Sequence, residues 1–460
     1  MIKKNNRKTI RGWVFYDWAN SVYNLVISSA IFPIFYETVT KKKALEAYNA
    51  KHGLQLESLP DGVEPLVDFF GFSLSSSVLM SFTLSASFFV VSILSPMLSG
   101  VADYTGNKKM FLKFFCYLGS IACISFYWFD ALPLEIGMLS CFLASIGFWN
   151  SLVFYNAYLP EIASPRFHDR ISARGYMMGY FGSMLLLVIC LLMITFGGKE
   201  LTKWSFIFVG IWWVGFSQIT YRALPNVKRE GKPIGKGVLT KGFKELKSVF
   251  KEFVTKPRLK RYLVSFFFFN TGVQTVMLMA VLYAKKEIFS GQYEELAQTG
   301  LIISILLIQL LGALGAVLIS RLSEKVGNLK ALSLVVFLWI PLVIWAYFLK
   351  TPNAFYFLAA CVGILMGGVQ SLSRSTYSKF LPTTEDNASY FSFYDATEKI
   401  GIVAGTFFFG LMEIIFDDIR MSIVSIAFFF ITGFLLLFRV PKDERLAPVK
   451  NIGNLNKNLE

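Results

Sequence analysis

The sequence predicts an all-α polytopic membrane protein in which twelve transmembrane helices form two pseudo-symmetric six-helix bundles. The chain has 460 residues, of which 55% are hydrophobic and only 16% are charged. A soluble protein of this size needs far more polar surface. The apolar residues occur in runs of about 20, long enough to cross roughly 30 Å of hydrocarbon. Short motifs also recur in the two halves at a nearly constant offset.

The apolar runs define the spans in order. We predict spans at 14–37, 72–99, 110–130, 134–157, 174–196, 204–224, 261–284, 299–320, 330–349, 354–378, 390–414 and 420–438. They divide the chain into an N-terminal half (1–225), a basic linker (226–260), a C-terminal half (261–440) and a tail (441–460). The longest outer loop, 38–71, has room for a short helix near 41–50.

The basic residues predict the orientation. With both termini in the cytoplasm of a bacterial cell, 34 of the 45 Lys and Arg fall in cytoplasmic segments and 10 lie outside. This asymmetry is typical of membrane topology, so the net charge of +15 does not indicate nucleic-acid binding. The second half of the linker, 241–254, fits an amphipathic helix on the anionic inner leaflet. A solvated tether is the favoured alternative.

A polar stripe runs along the first span. Asp17, Asn20, Asn24 and Ser28 are three or four residues apart and therefore share one face of a helix. Polar groups in a membrane helix indicate a functional site, although hydrogen bonding between helices is the alternative. Asp17 lies about one turn inside the cytoplasmic end and suits an inner gate near Glu161 and Arg174. Asn20 and Asn24 lie deeper and suit solute contact.

Two motif pairs indicate an internal repeat. Asp103-Tyr-Thr-Gly106-Asn107 follows the second span and Glu324-Lys-Val-Gly327-Asn328 follows the eighth. Tyr155-Asn-Ala-Tyr-Leu-Pro160 and Tyr377-Ser-Lys-Phe-Leu-Pro382 close the fourth and tenth spans. The offsets of 221 and 222 residues favour two parallel halves related by an axis along the membrane normal.

These motifs carry a family resemblance. Ser99-Gly-Val-Ala-Asp103-Tyr-Thr-Gly106-Asn-Lys108-Lys109 resembles the signature between spans two and three of the major facilitator superfamily. A narrower resemblance, to the vacuole-effluxer-like branch of fungal amino-acid effluxers and bacterial relatives, rests on four further stretches: Tyr16–Ser21, Tyr155–Glu161, Arg170–Tyr176 with Gly179-Tyr180, and Gly367–Ser375 with Phe393-Tyr394-Asp395. The resemblance implies the major facilitator fold, alternating access and amino-acid export. It also implies that Asp103 contacts the cytoplasmic end of span eleven and biases the conformational cycle, while Lys108 and Lys109 stay in water.

Charged residues near other span ends are further gating candidates. Glu161, Arg170 and Arg174 lie between spans four and five, where they would form either an inner gate or a static staple. Arg374 is their counterpart at the end of span ten, and Glu324 is the counterpart of Asp103.

Three charged residues lie near the start of span eleven. Asp395 and Lys399 are four residues apart with the acid first, which favours an ion pair on a helix. Together with Glu398 they form either a charge-balanced structural support or a substrate or proton site.

The remaining candidates for the solute cavity are Asn270, Gln274 and Tyr394. Asn270 and Gln274 are four residues apart in span seven, which would face the first span across a central cavity. Amides both donate and accept hydrogen bonds, which suits polar or zwitterionic solutes. Hydrogen bonding between helices is again the alternative.

We therefore predict a secondary transporter for a small polar solute, with membrane lipids around it and a proton or cation as its coupling partner if it is not a uniporter. A multidrug or lipid-like exporter is an alternative. An intramembrane enzyme is disfavoured because His52 and His168, the only histidines, lie outside the predicted spans. No metal site, cofactor or nucleic-acid partner is expected.

Overall fold

The computed structural model describes residues 4–60, 65–226 and 237–442, and this part of the chain is mainly helical. The helices are α1 (Arg7–Val22), α2 (Phe32–His52), α3 (Ser76–Thr105), α4 (Lys108–Ser125), α5 (Leu134–Asn156), α6 (Leu159–Ile162), α7 (His168–Gly197), α8 (Thr202–Ala223), α9 (Val238–Thr255), α10 (Pro257–Tyr283), α11 (Ala297–Val326), α12 (Asn328–Ala346), α13 (Pro352–Phe380), α14 (Asn387–Phe416), α15 (Ile419–Ser425) and α16 (Ala427–Leu437). Two short antiparallel strands, β1 (Leu66–Phe69) and β2 (Phe72–Ser75), precede α3.

Each of the twelve predicted spans coincides with a helix or a pair of helices. Within the described residues, ten helices are long and apolar enough to cross a membrane, and the bent pair formed by α1 and α2 brings the number to eleven. Helix α8 occupies the sixth predicted span, where it packs against α1 and α4. The last span is divided into α15 and α16.

The first span contains an unusual break. The side chain of Asn6 caps α1 by accepting hydrogen bonds from the backbone N–H groups of Lys8 and Thr9. A π-helical segment, Tyr23–Ala30, continues α1 and ends at a bend of 43° before α2. Such wide turns often occur at functional sites. The predicted helix near 41–50 is confirmed, but it is the end of the longer α2. The β1–β2 hairpin occupies the end of the predicted outer loop and the first four residues of the second predicted span, so that helix begins only at Ser76.

The ends of α3 and α11 reproduce the sequence repeat. Both helices stop at a glycine with a positive φ, 70° at Gly106 and 90° at Gly327. A residue with a Cβ atom rarely adopts such angles, so glycine permits the sharp turn into the next helix. The repeated motifs therefore occupy equivalent positions, although ψ differs between Gly106 (12°) and Gly327 (153°).

Helices α1–α8 form one bundle and α10–α16 form the other. The bundles contact each other mainly through α7 with α11 and α13, and through α3 with α14. We call the end of the molecule where α3 turns into α4 the linker end, because α9 packs there against α3. The linker is therefore more than a solvated tether.

The predicted boundaries at 225 and 261 remain predictions, and most of the predicted tail (441–460) lies outside the described residues.

Candidate functional site

A cavity of about 970 Å³ lies between the two bundles. Its wall is formed by the π-helical segment with α1, α3, α5 and α7 on one side and by α10, α11, α13 and α14 on the other. It extends from Asp17 and Arg374, towards the linker end, to Glu37, Lys41 and Ser75 at the opposite end.

The polar stripe of the first span lines this cavity. Asp17, Asn20, Asn24 and Ser28 all belong to its wall. Asn24 and Ser28 are exposed to it, whereas Asn20 is buried and its Nδ2 has no hydrogen-bond partner among the described residues. The π-helical turn begins between Asn20 and Asn24 and thus changes the spacing of the stripe.

A charged group of residues lies on the opposite wall. The Nε2 of Gln274 donates a hydrogen bond to Oε1 of Glu398 over 2.5 Å. The Nζ of Lys399 lies 3.0 Å from Oδ1 of Asp395 and 3.7 Å from Oε2 of Glu398. This ammonium also lies 3.4 Å from the centroid of the Trp149 ring, on the other bundle. Asp395 and Glu398 thus share the ammonium of Lys399, and the indole ring of Trp149 covers it.

The other predicted cavity residues lie at different depths. Tyr394 lines the cavity, and its ring stacks on Phe266 at 4.2 Å. Asn270 is buried and lies outside the cavity wall, contrary to the prediction. It is one turn nearer the linker end than Gln274, where the helices pack closely.

Most of the polar contacts between the bundles in the described residues lie towards the linker end, whereas the hydrogen bond from the Tyr180 hydroxyl to Gln370 Oε1 (2.8 Å) lines the cavity. We group the contacts at the linker end into three clusters. The central cluster contains Asp17 and Arg374. The α3–α14 cluster is built around Asp103, and the α7–α11 cluster around Asp169.

In the central cluster, Arg374 on α13 binds Asp17 on α1. Its Nη2 lies 3.0 Å from Oδ2 and its Nη1 lies 3.4 Å from Oδ1. The guanidinium also donates to Oγ and to the carbonyl oxygen of Ser172, and the hydroxyl of Tyr155 donates to Asp17 over 2.8 Å. The prediction that Asp17 lies with Glu161 and Arg174 is therefore wrong in its partner, because the carboxylate pairs across the two bundles instead.

The surroundings of this ion pair are tight and aromatic. The Arg374 guanidinium carbon lies 4.2 Å from the centroid of Tyr176 and 4.9 Å from that of Trp13. A Cβ atom on Gly175 would lie 2.1 Å from Oδ2 of Asp17, so only glycine fits at this point of α7. Pairing and cation–π contacts compensate for the burial of both charges.

In the α3–α14 cluster, Asp103 caps the start of α14. Its carboxylate accepts hydrogen bonds from the backbone N–H groups of Ala388 (3.2 Å) and Ser389 (2.7 Å). A helix N-terminus favours a carboxylate. The expected contact with span eleven is thus present. Lys108 is buried, contrary to expectation, because it pairs with both Asp103 and Glu161. The Lys109 ammonium is half-buried and donates to the Leu224 carbonyl oxygen.

The α7–α11 cluster is the counterpart of the α3–α14 cluster at the turn from α11 to α12, and it also joins the two bundles. Asp169, in the first turn of α7, accepts from Ser323 Oγ (2.8 Å), Asn328 Nδ2 (2.7 Å) and Lys379 Nζ (2.6 Å). Glu324, the predicted counterpart of Asp103, is exposed instead. The acid of this cluster therefore lies on α7 of the first bundle rather than at the end of α11 in the second bundle.

Arg170 and Arg174 do not join these clusters. Both are exposed, and they form no ion pair within the described residues. Glu161 takes Lys108 as its partner and accepts a hydrogen bond from Asn387. The expected pairing of Glu161 with Arg170 or Arg174 is thus absent, because the start of α7 directs the two arginines outwards.

Sequence reasoning missed Asp169, Lys379 and Trp149. Asp169 directly precedes Arg170 and Lys379 lies within the second repeat motif, so their positions beside recognised motifs were the available signal. Nothing local marked Trp149 among so many aromatic residues. No group of three His, Cys, Asp or Glu side chains in the described ranges is placed to bind a metal ion.

Known proteins share this sequence and fold. The family model described as "Vacuole effluxer Atg22 like" matches residues 5–446. The uncharacterized MFS-type transporter YxiO of Bacillus subtilis is 26% identical over 456 residues, covering 96% of each chain. Autophagy-related protein 22-1 of Penicillium rubens is 23% identical, covering 96% of this chain and 91% of its own.

A solved structure extends the likeness to the fold. The E. coli fucose:proton symporter FucP, a major facilitator superfamily transporter, superposes with a TM-score of 0.64 at 13% identity over 95% of this chain and 98% of its own. The match to the family model covers nearly the whole chain, from α1 to beyond α16. The chain is therefore an integral membrane protein that belongs to the vacuole effluxer Atg22-like family of major facilitator transporters.

Proposed function

We propose that the protein exports a small polar solute, an amino acid, by alternating access through the central cavity. The observation that carries this proposal is the charged group on the cavity wall, where Asp395 and Glu398 share the ammonium of Lys399. Two carboxylates against one ammonium leave an excess of negative charge. A solute with an ammonium group would be attracted to it.

Amide groups complete the chemistry that a zwitterion needs. Asn20, Asn24 and Gln274 line the same cavity and can donate hydrogen bonds to a solute carboxylate. Oδ2 of Asp395 has no hydrogen-bond partner among the described residues, which makes this carboxylate our candidate for a coupling proton.

The proposed cycle uses the three clusters of the linker end. In the state described here they hold the two bundles together at that end, while the cavity extends to the opposite end. Export requires them to separate so that solute enters from the linker side. We propose that this side is the cytoplasm of a bacterial cell, as the distribution of basic residues predicts. The family description names a vacuole, whereas YxiO is a bacterial relative.

The test is uptake and counterflow of labelled amino acids in proteoliposomes, with and without a pH gradient. Glu398→Gln and Gln274→Ala should raise the KM of a transported amino acid about tenfold, the loss expected for one charged hydrogen bond. Gln218→Ala, on α8 outside the cavity wall, is the matched control for Gln274→Ala. Transport of apolar dyes without any amino acid would instead favour the multidrug exporter.

A further inference from the structure

The linker helix α9 is docked onto the first bundle by a close backbone contact. Gly242 on α9 lies against Gly100 on α3, and a Cβ atom on Gly100 would stand 2.2 Å from the Gly242 carbonyl oxygen. Val249, two turns further along the same side of α9, is also buried. Helix α9 also contacts α10 and α14 of the second bundle. It therefore bridges the two bundles at the linker end.

The outer side of α9 is apolar. Leu239, Phe243, Phe250 and Val254 are 46–60% exposed and follow one another at spacings that keep them on one side of the helix. The exposed residues Lys244, Lys247 and Lys251 lie beside this apolar stripe. An apolar face bordered by lysines is typical of a helix lying in the plane of a membrane interface. The stripe places α9 at the boundary between headgroups and acyl chains.

A groove of about 370 Å³ opens where α9 meets α10 and α14. Its floor includes Phe393, whose ring packs against Phe250 (5.7 Å) and Phe253 (5.6 Å) of α9. Val264 of α10 and Ile400 of α14 form its exposed edge. The volume lies near the lower end of the range for small-molecule sites, roughly 300–1,000 Å³.

Lys260 is the one charged residue in the lining of this groove. It precedes Val264 by one turn of α10 and is exposed. The groove thus has an apolar body and one ammonium on the side where α10 begins. A phospholipid with a net negative headgroup has the complementary shape and charge: an acyl chain for the body and a phosphate for the ammonium.

We infer that the groove between α9, α10 and α14 is a binding site for an anionic phospholipid of the surrounding bilayer. The acyl chain lies against Phe250, Phe393 and Val264, and the phosphate pairs with Lys260. The exposed edge of the groove belongs to two membrane-spanning helices, so bilayer lipid already surrounds it. A bound lipid joins α9 to the second bundle and stabilises the protein.

The experiment compares full-length protein in nanodiscs of phosphatidylcholine alone and of phosphatidylcholine with phosphatidylglycerol. Retained lipid is counted by native mass spectrometry after release into detergent, and the unfolding midpoint is measured in both nanodiscs. Lys260→Gln should weaken phosphatidylglycerol retention about fivefold, the effect of one basic residue near a membrane surface. Val264→Trp should fill the groove and abolish retention. Both substitutions should remove the additional thermal stability that phosphatidylglycerol gives the parent protein.

Helix α12 supplies a matched control. Lys330 and Leu334 are an exposed lysine and an exposed apolar residue with the same spacing, also at the start of a membrane helix, and they lie outside the groove. Lys330→Gln and Leu334→Trp should leave phosphatidylglycerol retention unchanged. The inference is overturned if both pairs of variants behave alike, or if phosphatidylcholine is retained as well as phosphatidylglycerol. The inference is also overturned if the protein retains no lipid and instead forms dimers that Val264→Trp disrupts. In that case the groove binds a second copy of the chain.

Discussion

Removing the carboxylate of Asp17 should shift the protein towards the state in which the linker end is open. The side chains of Arg374 and Asp17 are only 2% and 7% exposed. Breaking a buried ion pair by removing one partner costs about 3–5 kcal/mol, because the remaining charge loses its compensation. In Asp17→Asn, Arg374 keeps its hydrogen bonds to Ser172 and its contact with Tyr176, so the lower end of that range applies.

This loss of free energy applies only to the conformation that is closed at the linker end. When the bundles separate at the linker end, water reaches the guanidinium and the missing carboxylate no longer matters. A destabilisation of about 3 kcal/mol therefore changes the equilibrium constant between the two states by about 100-fold. A population that is nearly all closed at the linker end in the parent becomes a measurable mixture.

Distances between spin labels report this shift. One label pair, at Arg222 and Lys330, lies on exposed residues of different bundles at the linker end, and another, at Lys199 and Lys350, lies at the opposite end. The labels are introduced as cysteines after replacement of the five native cysteines, all of which are free. In Asp17→Asn the first distance should lengthen and the second should shorten.

The matched control is Asp130→Asn, which removes an acid that pairs with Lys203 inside one bundle. Its distance distributions should equal those of the parent. If Asp17→Asn also matches the parent at both label pairs, the ion pair does not hold the linker end closed and the reasoning is refuted.

Three further substitutions test neighbouring features. Gly175→Ala places a methyl group 2.1 Å from Oδ2 of Asp17, so we expect the same shift in label distances as for Asp17→Asn. Asp169→Asn leaves the buried ammonium of Lys379 without its carboxylate, and a loss of about 3 kcal/mol should lower the unfolding midpoint and open the linker end. Lys399→Met leaves two carboxylates without an ammonium and should lower the unfolding midpoint, and adding Asp395→Asn should recover part of that loss.

Each of these variants has a control of similar chemistry. Gly215→Ala adds a methyl group on α8 where no atom lies within 4 Å, and it should leave the label distances unchanged. Asp68→Asn and Lys285→Met alter exposed charges outside the clusters and should keep the parent midpoint. If Gly175→Ala keeps the label distances of the parent, α7 can move to accommodate the added methyl group and our expectation is wrong. If Lys399→Met keeps the unfolding midpoint of the parent, water already screens the charges of Asp395 and Glu398.

The helices and the contacts within one helix could be predicted from the sequence. Long apolar runs must satisfy their backbone polar groups as helices in a membrane, so a helix or a pair of helices lies at each predicted span. Within the described residues, ten of these, or eleven with the bent pair, are long and apolar enough to cross a membrane. The contact between Asp395 and Lys399 followed from their spacing on one helix and is present at 3.0 Å.

Contacts between helices that are far apart in the sequence could not be predicted in the same way. Asp17 and Arg374 are 357 residues apart, and no local spacing shows which helices meet. The repeat helped only where both halves use the same chemistry. It failed for Glu324, because the acid at the turn from α11 to α12 comes from Asp169 on α7 of the first bundle. The β1–β2 hairpin was missed because four-residue strands carry too little periodic signal.

The α3–α14 and α7–α11 clusters should tolerate substitution differently. Asp103 binds main-chain N–H groups at positions 388 and 389, which every residue except proline supplies, so this contact does not depend on the side chains there. Burial of both positions still requires small residues. Asp169 binds the side chains of Ser323, Asn328 and Lys379. Within the family we therefore expect correlated changes among these four positions, and no correlation between Asp103 and the side chains at positions 388 and 389.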